Sequence, residues 1–282
     1  MARPNLAKRK SAGISQGNRE LLESLHRMSK GPFNIAEAAS ILGVKRYRAR
    51  RLLRYLAERG WLSRVRRGLY VAVPLEARIS GQWQVDPWVI AARIMSPGYI
   101  GGWSACEHWG LTDQLFREVV VFTSKRMRRR RVEIQGTPIR IKVVSAARLF
   151  GTRRVWRGQV PVLVSDPSHT VVDLLDDPPI GGGIRHVAEV VNEYFKGEHR
   201  DDRQIVDYSK KLRNRTVYKR LGFLIEELGI DLPDLVEICR REQSSGLSDL
   251  DPSIPVRGRI VSRWNLRANA DLLRNTRHDR ST

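Results

Sequence analysis

The formal net charge of this 282-residue chain is +21, which indicates a polyanionic partner. A hydrophobic fraction of 41% and seven Trp predict a folded protein, and the length is enough for two domains. No apolar run approaches the ~18 residues that a membrane-spanning helix needs, so a helical membrane protein is excluded.

Cysteine and histidine give no sign of a metal site. Cys106 and Cys239 are far apart, and the six His fall in no metal-ligand spacing. Residues 1–17 are basic but contain no apolar stretch, so they do not have the pattern of a secretory signal. We therefore expect a reduced, cytoplasmic protein that binds no metal and no cofactor.

The positive charge is concentrated at the N-terminal end. Residues 1–80 contain 18 Lys or Arg and 5 Asp or Glu, a net charge of +13. Residues 1–18 are polar and basic, and we predict that they form a disordered arm. An apolar stripe at Leu21, Leu22 and Leu25 then predicts a first helix.

Residues 31–62 predict two further helices. Asn34 precedes an apolar run and Glu37 follows three residues later, which is the spacing of a capping box. Gly43 predicts the end of this helix, because a helix often ends where a residue needs a positive φ. The next helix has one apolar stripe, formed by Ala49, Leu52, Leu53 and Leu56.

The segment SRVRRGLYVAV, residues 63–73, predicts a two-stranded hairpin that turns at residues 66–68. Helix, tight turn, helix and a basic hairpin are the outline of a winged helix-turn-helix. We therefore predict a winged helix-turn-helix DNA-binding domain over residues 19–80, with a connector over residues 74–84.

The helix after Gly43 carries a basic face. Arg46, Arg50 and Arg54 are four residues apart, so they lie along one side of the helix. Charge runs are usually solvated faces, but such faces mix signs, and only Glu58 is acidic in residues 45–67. We predict contacts to DNA phosphates or base edges. The predicted DNA-binding residues are Lys45, Arg46, Arg48, Arg50, Arg51, Arg54, Arg64, Arg66 and Arg67.

Residues 83–282 predict a second domain. β-Branched runs at residues 117–125 and 132–144 predict strands, while residues 199–282 have mainly helical periodicity. The predicted fold class is therefore α+β. The N-terminal winged helix-turn-helix is followed by a mixed α/β domain over residues 83–198, with a helical C-terminal part over residues 199–282.

A run of cations between two predicted strands stands out in the second domain. It comprises Lys125, Arg126, Arg128, Arg129, Arg130 and Arg131, and Arg140 would extend it. One interpretation is a solvated turn. The other is a polyanion surface, which would bind either the operator backbone or an RNA or nucleotide target. The sequence leaves these alternatives open.

Catalytic patterns are weak in this sequence. A metal-dependent nuclease would need an acid-x-Lys strand near Asp166 or Asp173, and residues 133–135 lack the Lys. Residues 168–170 are better interpreted as the start of a helix than as part of a catalytic triad. Residues 181–183 are Gly-rich but lack the following Lys-Ser/Thr of a phosphate-binding loop. We predict that the protein is not an enzyme.

Several segments in order resemble the AbiEi family of type IV antitoxins over about residues 20–270. They are GVKRYRARRLLRYLAERGWLSRVRRGLYV, IGGWSACEHWGL, VVVFTSKRMRRRRVEIQGTPIRIKVV, VSDPSHTVVDLLDDPPIGGGIRHVAEVV, KRLGFLIEELG and SRWNLRAN. The fourth segment departs from the family pattern, because Ser168 stands where a Glu is expected.

The resemblance implies two roles. The first is repression of its own operon by binding inverted repeats in double-stranded operator DNA. The second is countering a nucleotidyltransferase toxin of the AbiEii type encoded beside it, for which type IV antitoxins typically need no stable complex. We predict that residues 83–282 carry the second role, because the winged domain already accounts for repression. We also predict that the dense charge of Lys125, Arg126 and residues 128–131 contributes to it. The alternative function is a ligand-responsive winged-helix regulator without a toxin.

Overall fold

The structure is a computed structural model that describes residues 14–74 and 85–272. Most of the predicted basic arm and of the predicted connector therefore lies outside the described residues. Contacts divide the chain into two compact units. The first unit comprises residues 1–95, 132–138 and 155–162, and the second comprises residues 96–131, 139–154 and 163–282. The predicted domain boundaries at residues 18, 80 and 83 stay a prediction.

The first unit begins with a helical triad and a small sheet. Its elements are α1 (Gln16–Met28), β1 (Phe33–Asn34), α2 (Ile35–Ile41), α3 (Arg46–Glu58), β2 (Leu62–Arg66), β3 (Leu69–Ala72) and α4 (Pro87–Met95). The strands are antiparallel in the order β1-β3-β2, with Phe33 opposite Tyr70. Helix, helix and two-stranded wing follow the predicted order, and β1 adds a third strand that the sequence did not indicate.

One apolar cluster holds these elements together. Leu22 and Leu25 of α1, Leu53 and Leu56 of α3 and Tyr70 of β3 are each at most 5% exposed. Fully burying one such side chain contributes about 1.5–3 kcal/mol to folding. Because the cluster uses one stripe of each helix, the opposite side of α3 is left facing outward.

The central sheet of the remaining chain has six strands in the order β6-β7-β5-β4-β9-β8. The strands are β4 (Gly98–Ile100), β5 (Val119–Thr123), β6 (Arg131–Ile134), β7 (Thr137–Val143), β8 (Thr152–Arg157) and β9 (Val160–Ser165). Strand β4 pairs antiparallel with β5 and parallel with β9, while β5 and β7 run parallel. The sheet is therefore mixed.

Six further α-helices follow strand β4, and the last three of them lie in the C-terminal part. They are α5 (Gly102–His108), α6 (Pro167–Asp176), α7 (Ile184–Lys196), α8 (Asp202–Leu212), α9 (Thr216–Glu227) and α10 (Pro233–Glu242). A small sheet of β10 (Ser248–Asp249), β12 (Leu266–Ala268) and β11 (Arg259–Val261) follows. The predicted α+β class is confirmed. None of the helices in the described part of the chain has the length and apolar content that crossing a bilayer needs.

Candidate nucleic-acid interface

The entry to the helix-turn-helix is fixed by the predicted capping box. Asn34 Oδ1 accepts hydrogen bonds from the N–H groups of Ala36 and Glu37 at 2.8 and 3.0 Å. The Glu37 carboxylate in turn accepts from the Asn34 N–H at 2.8 Å. These bonds satisfy N–H groups that a helix start leaves without partners, so α2 begins at a defined residue.

Glu37 has a second partner, because Arg93 of α4 donates to its other carboxylate oxygen. Partial burial would raise the pKa of Glu37, but the bonds from the Asn34 N–H and from Arg93 outweigh it and lower the pKa. The lowered pKa favours the ionised carboxylate, which binds both the Asn34 N–H of the cap and Arg93 of α4.

The turn between α2 and α3 needs a glycine. Gly43 has φ of +62°, the left-handed region that side chains with a Cβ adopt only at a cost. Two residues later, Lys45 occupies the N-cap position of α3 without a capping side chain. Helix α3 then buries Ala49, Leu53 and Leu56, as predicted, while Leu52 is only partly buried.

The outer face of α3 is cationic and solvent-accessible. Lys45, Arg46, Arg48, Arg50, Arg51 and Arg54 are all exposed. Arg54 pairs with Glu58 at 3.0 Å, and the two side chains are 79% and 60% exposed. Such an exposed pair contributes at most about 1 kcal/mol. In the described part of the chain, the other five cations have no acidic partner.

Unpaired like charges three or four residues apart destabilise a helix by roughly 0.2–0.5 kcal/mol per pair. A bound polyanion would remove this repulsion. The diameter of an α-helix with its side chains is about 10–12 Å, which matches the roughly 12 Å width of the DNA major groove. The charge and size of α3 therefore suit insertion into that groove.

The wing adds cations next to α3. Val65 points into the core, whereas Arg64 and Arg66 on either side of it are exposed. The β2–β3 register is irregular between these two arginines, and Gly68 in the following turn has φ of +79°. Arg67 is exposed at the tip. The hairpin and its turn are where the sequence predicted them.

Sequence reasoning missed one residue of this face. Tyr47 is 57% exposed and stands between Arg46 and Arg48 in α3. A large aromatic side chain away from the Ala49–Leu53–Leu56 stripe was the available signal. Its hydroxyl and ring offer a hydrogen bond and an apolar contact at the same surface as the guanidinium groups.

The second basic run lies in the connection between β5 and β6. Lys125, Arg126 and Arg128–Arg130 are exposed there. Arg131 opens β6 and pairs with Glu118 at 3.3 Å. Arg140 does not extend this surface. Its guanidinium donates to the Pro179 carbonyl oxygen at 2.6 Å and lies over Trp103, so that expectation is wrong.

The residues weighed for catalysis have structural partners. Ser168 lies 2.8 Å from the Tyr194 hydroxyl, and Tyr99 donates to Asp173 at 2.8 Å. Asp166 caps α6 through the His169 N–H and also accepts from Tyr208. All of Ser168, His169, Asp173 and Asp166 are at most 5% exposed. These groups pack a helix against its neighbours and present no accessible nucleophile.

The Gly-rich segment also has a structural role. Its last residue, Gly183, precedes α7, and the first helical N–H, that of Ile184, donates to Asp251 Oδ2 at 2.9 Å. An acidic side chain therefore occupies the position that a phosphate would take. Within residues 14–74 and 85–272, no group of three or more His, Cys, Asp or Glu is arranged to hold a metal ion.

Comparisons with known proteins show a similarity in fold over the chain and a similarity to one family over its N-terminal region. No curated protein sequence matches the chain. A crystal structure of the RV2827C protein from Mycobacterium tuberculosis is similar in fold, with a TM-score of 0.64 at 14% identity, over 92% of this chain and 93% of that chain. The family model described as "Transcriptional regulator, AbiEi antitoxin" matches residues 20–73. The matched region is the winged helix-turn-helix, which is thus similar to the AbiEi antitoxin family of transcriptional regulators, in agreement with the resemblance seen in the sequence.

Proposed function

We propose that this protein represses its own operon by binding inverted repeats in the promoter, and that it also acts as the antitoxin for a nucleotidyltransferase toxin encoded beside it. The observation that carries the first role is the set of nine exposed cations on α3 and the wing, of which Arg54 alone has an acidic partner among the described residues. The match to transcriptional regulators over residues 20–73 supports the same role.

In this proposal α3 is the recognition helix. Arg46, Arg50 and Arg54 follow one side of it, and Arg48 and Arg51 flank them. Arginine binds phosphates and can also form two hydrogen bonds to a guanine edge. The wing arginines would contact the backbone beside the groove. Phosphate contacts set the position of the protein, while guanine contacts set the sequence preference.

The first prediction concerns the variant Arg46→Ala/Arg50→Ala/Arg51→Ala. We expect its affinity for the native promoter to fall by roughly ten-fold or more, since one lost guanine contact alone is worth about 1–3 kcal/mol. The slope of log K against log salt should also decrease by about one for each lost phosphate contact. Gel shifts at several salt concentrations measure both quantities.

The matched control removes three exposed cations from α7 and α8 instead, as Lys196→Ala/Arg203→Ala/Lys210→Ala. These side chains have no ion pair within the described residues and lie outside α3 and the wing. The control should retain promoter affinity to within about two-fold, because it loses only long-range attraction. Equal loss in both variants, or unchanged affinity in the first, would contradict the proposed interface.

The antitoxin role is proposed for residues 83–282. Residues 1–80 carry +13 of the total charge of +21, so the remainder still carries +8. Its densest exposed cluster is the 125–131 loop, where Arg126 and Arg128–Arg130 have no ion pair in the described part of the chain. A nucleotidyltransferase acts on anionic nucleotides or RNA, so this loop could compete for the same target.

The second prediction concerns Arg128→Ala/Arg129→Ala/Arg130→Ala/Arg131→Ala. We expect this variant to lose rescue of cells that co-express the toxin, while promoter binding changes by less than about three-fold. Colony counts after toxin induction, with matched protein levels, measure rescue. The toxin to co-express is the nucleotidyltransferase-like protein encoded by the gene beside the gene for this protein. The absence of such a gene would favour a regulator without a toxin.

A control variant with Lys196, Arg203, Lys210 and Arg240 changed to Ala loses the same charge from α7, α8 and α10. It should retain rescue. If the loop variant rescues cells but no longer represses the promoter, the loop belongs to the operator interface and the antitoxin assignment is wrong.

A further inference from the structure

A second set of cations, apart from the 125–131 loop, lies over aromatic rings in the second unit. The Lys211 ammonium of α8 is 5.7 Å from the ring centre of Phe150 and 5.4 Å from that of Tyr208. Arg153 of β8 lies over Trp109, with its guanidinium carbon 5.6 Å from the ring centre. We call Trp109, Phe150, Arg153, Tyr208 and Lys211 the ring–cation surface.

Hydrogen bonds to buried groups hold the Trp109 and Tyr208 rings of this surface in place. Trp109 Nε1 donates to the Ser165 carbonyl oxygen at 2.7 Å, and the Tyr208 hydroxyl donates to Asp166 at 2.7 Å. The Phe150 and Tyr208 ring centres are 5.3 Å apart. A Cβ at Gly151 would lie 2.8 Å from Tyr208, so the backbone at residue 151 packs directly on that ring. The surface is therefore ordered by buried contacts.

The cations of the surface are available to a ligand. Arg153 and Lys211 are both exposed, and neither has an ion pair in the parts of the chain that the structure covers. Asp166, the acid bound by Tyr208, is 5% exposed and also accepts a bond from the His169 N–H. Cation–π contacts hold such side chains in place but leave their N–H groups free to donate.

His199 extends the aromatic edge of this surface. Its ring centre is 6.0 Å from that of Trp109, at an angle of 77°. Trp109 and His199 are both partly exposed. Partly exposed rings beside unpaired cations suit single-stranded nucleic acid, because an unstacked base needs an aromatic face and the neighbouring phosphates need positive charge. A duplex would meet the cations but could not use the rings.

We propose that the ring–cation surface binds single-stranded nucleic acid, with phosphates at Arg153 and Lys211 and a base against Trp109 and His199. This site goes beyond operator binding by α3 and does not involve the 125–131 loop. The chemistry is shared by RNA and single-stranded DNA, so both are tested.

The experiment uses the full chain carrying Arg46→Ala/Arg50→Ala/Arg51→Ala, which lowers the background from α3. Fluorescence anisotropy measures the affinity for a 12-mer of uridine, a 12-mer of thymidine and an unrelated 12-base-pair duplex. Adding Arg153→Gln/Lys211→Gln should weaken binding to at least one single strand by roughly ten-fold and reduce its salt slope by about 1.4, since each phosphate contact contributes about 0.7 for single strands.

The matched control is Arg154→Gln/Lys210→Gln, which removes one cation from the same strand and one from the same helix, each adjacent to a proposed contact. It should change affinity by less than about two-fold. Tighter binding of the uridine strand than of the thymidine strand would show that the site recognises the 2′-hydroxyl of RNA. Equal affinity for the two strands would show that the site accepts both RNA and single-stranded DNA. Equal effects of the two double variants, or binding of the duplex as tight as of the single strands, would overturn the proposal.

Discussion

Gly222 is the residue whose replacement has the clearest expected cost. A Cβ at this position of α9 would lie 2.0 Å from Cη2 of Trp264. Trp264 is fully buried and its indole N–H donates to Glu226 at 2.6 Å. The helix can therefore approach the tryptophan this closely only because residue 222 has no side chain.

We predict that Gly222→Ala destabilises the protein by about 1–3 kcal/mol, the usual cost of overpacking a core. Alanine favours a helix interior by up to about 1 kcal/mol over glycine, so the sign tests whether packing outweighs propensity. Urea unfolding followed by tryptophan fluorescence measures the change.

Gly17→Ala is the control, because no atom lies within 4 Å of a Cβ at that position of α1. It should be neutral or slightly stabilising. A Gly222→Ala variant as stable as the Gly17→Ala variant would show that Trp264 moves aside at little cost.

Residue roles could be predicted where both partners are close in sequence. The Asn34–Glu37 cap follows from a three-residue spacing, and Gly43 and Gly68 follow from the ends of helix and strand. Arg140 could not be placed in the same way, because its partners Trp103 and the Pro179 carbonyl are 37 and 39 residues away. The role of Ser168 likewise depends on Tyr194, 26 residues further along.

At the scale of elements, the C-terminal end of α6 gathers an ionic network. Asp176 accepts from Lys142 of β7 at 2.9 Å, from Arg148 at 2.8 Å and from Asn214 at 2.7 Å. Burial would raise the pKa of Asp176, but Lys142, Asn214 and Arg148 outweigh it and lower the pKa to about 2. The ionised carboxylate thus ties a strand, a helix end and the α8–α9 connection together.

We predict a loss of stability in acid from this group. Its folded pKa lies below the unfolded value near 4, so the stabilisation is present above about pH 4 and is lost as the pH falls toward 2. A shift of this size corresponds to about 2 kcal/mol. Asp176→Asn should therefore be less stable than the parent at pH 7 by about that amount or more, with the difference shrinking toward pH 2.

Urea midpoints between pH 2 and pH 7 measure this convergence. Glu237→Gln is the control, because its partner Arg240 is 3.8 Å away and both side chains are more than half exposed. That change should alter stability by less than about 1 kcal/mol at any pH. A difference between Asp176→Asn and the parent that is independent of pH would mean that the shape, and not the charge, of Asp176 matters.

Elements with a regular apolar pattern could be predicted, and those without one could not. The stripe of α3 and the alternation around Val65 in β2 identify a helix and a wing strand. Strand β8, residues 152–157, lies at the edge of its sheet and contains three arginines, so its sequence has no regular apolar alternation. Strand β1 is two residues long, too short for any period to be visible.

The small C-terminal sheet is held by contacts that no local pattern could reveal. Lys219 and Arg220 of α9 are buried, although a run of cations in a helix suggests a solvated face. Arg220 donates to the carbonyl oxygens of Leu250 and Asp249 at 2.9 and 3.0 Å, and Lys219 donates to that of Gly246. Backbone carbonyl groups in and beside β10 therefore replace water around both cations.

For the whole molecule, the fold class followed from the order of patterns along the chain. The strand order of the six-stranded sheet did not, because it combines parallel pairs, such as β4 with β9, with antiparallel ones. Such pairings join segments about 60 residues apart, as for Ile100 and Val164. Neither hydrophobic period nor turn chemistry carries information over that distance.

The positive charge is concentrated in residues 1–80, and the winged helix-turn-helix within them has an apolar cluster of its own. The last prediction is therefore that this part of the chain folds and binds DNA alone. The apolar cluster of the winged helix-turn-helix consists of Leu22, Leu25, Phe33, Ala38, Leu53, Leu56, Leu62 and Tyr70, with further partly buried residues between positions 14 and 72. A fragment of residues 1–78 contains this entire cluster. We expect it to fold cooperatively and to bind the promoter, while residues 83–282 alone should not repress.

A domain of about 60 residues is marginal in stability, so the fragment should melt below the full chain. Arg93, which pairs with Glu37 in the full chain, is also missing, but both side chains are about 40% exposed and such a pair contributes at most about 1 kcal/mol. Circular dichroism and gel shifts test the fragment, and a second fragment of residues 1–95 restores α4 as the control. If residues 1–78 are unfolded while residues 1–95 fold and bind, the boundary belongs after α4. If neither fragment folds, the DNA-binding part is not an independent domain.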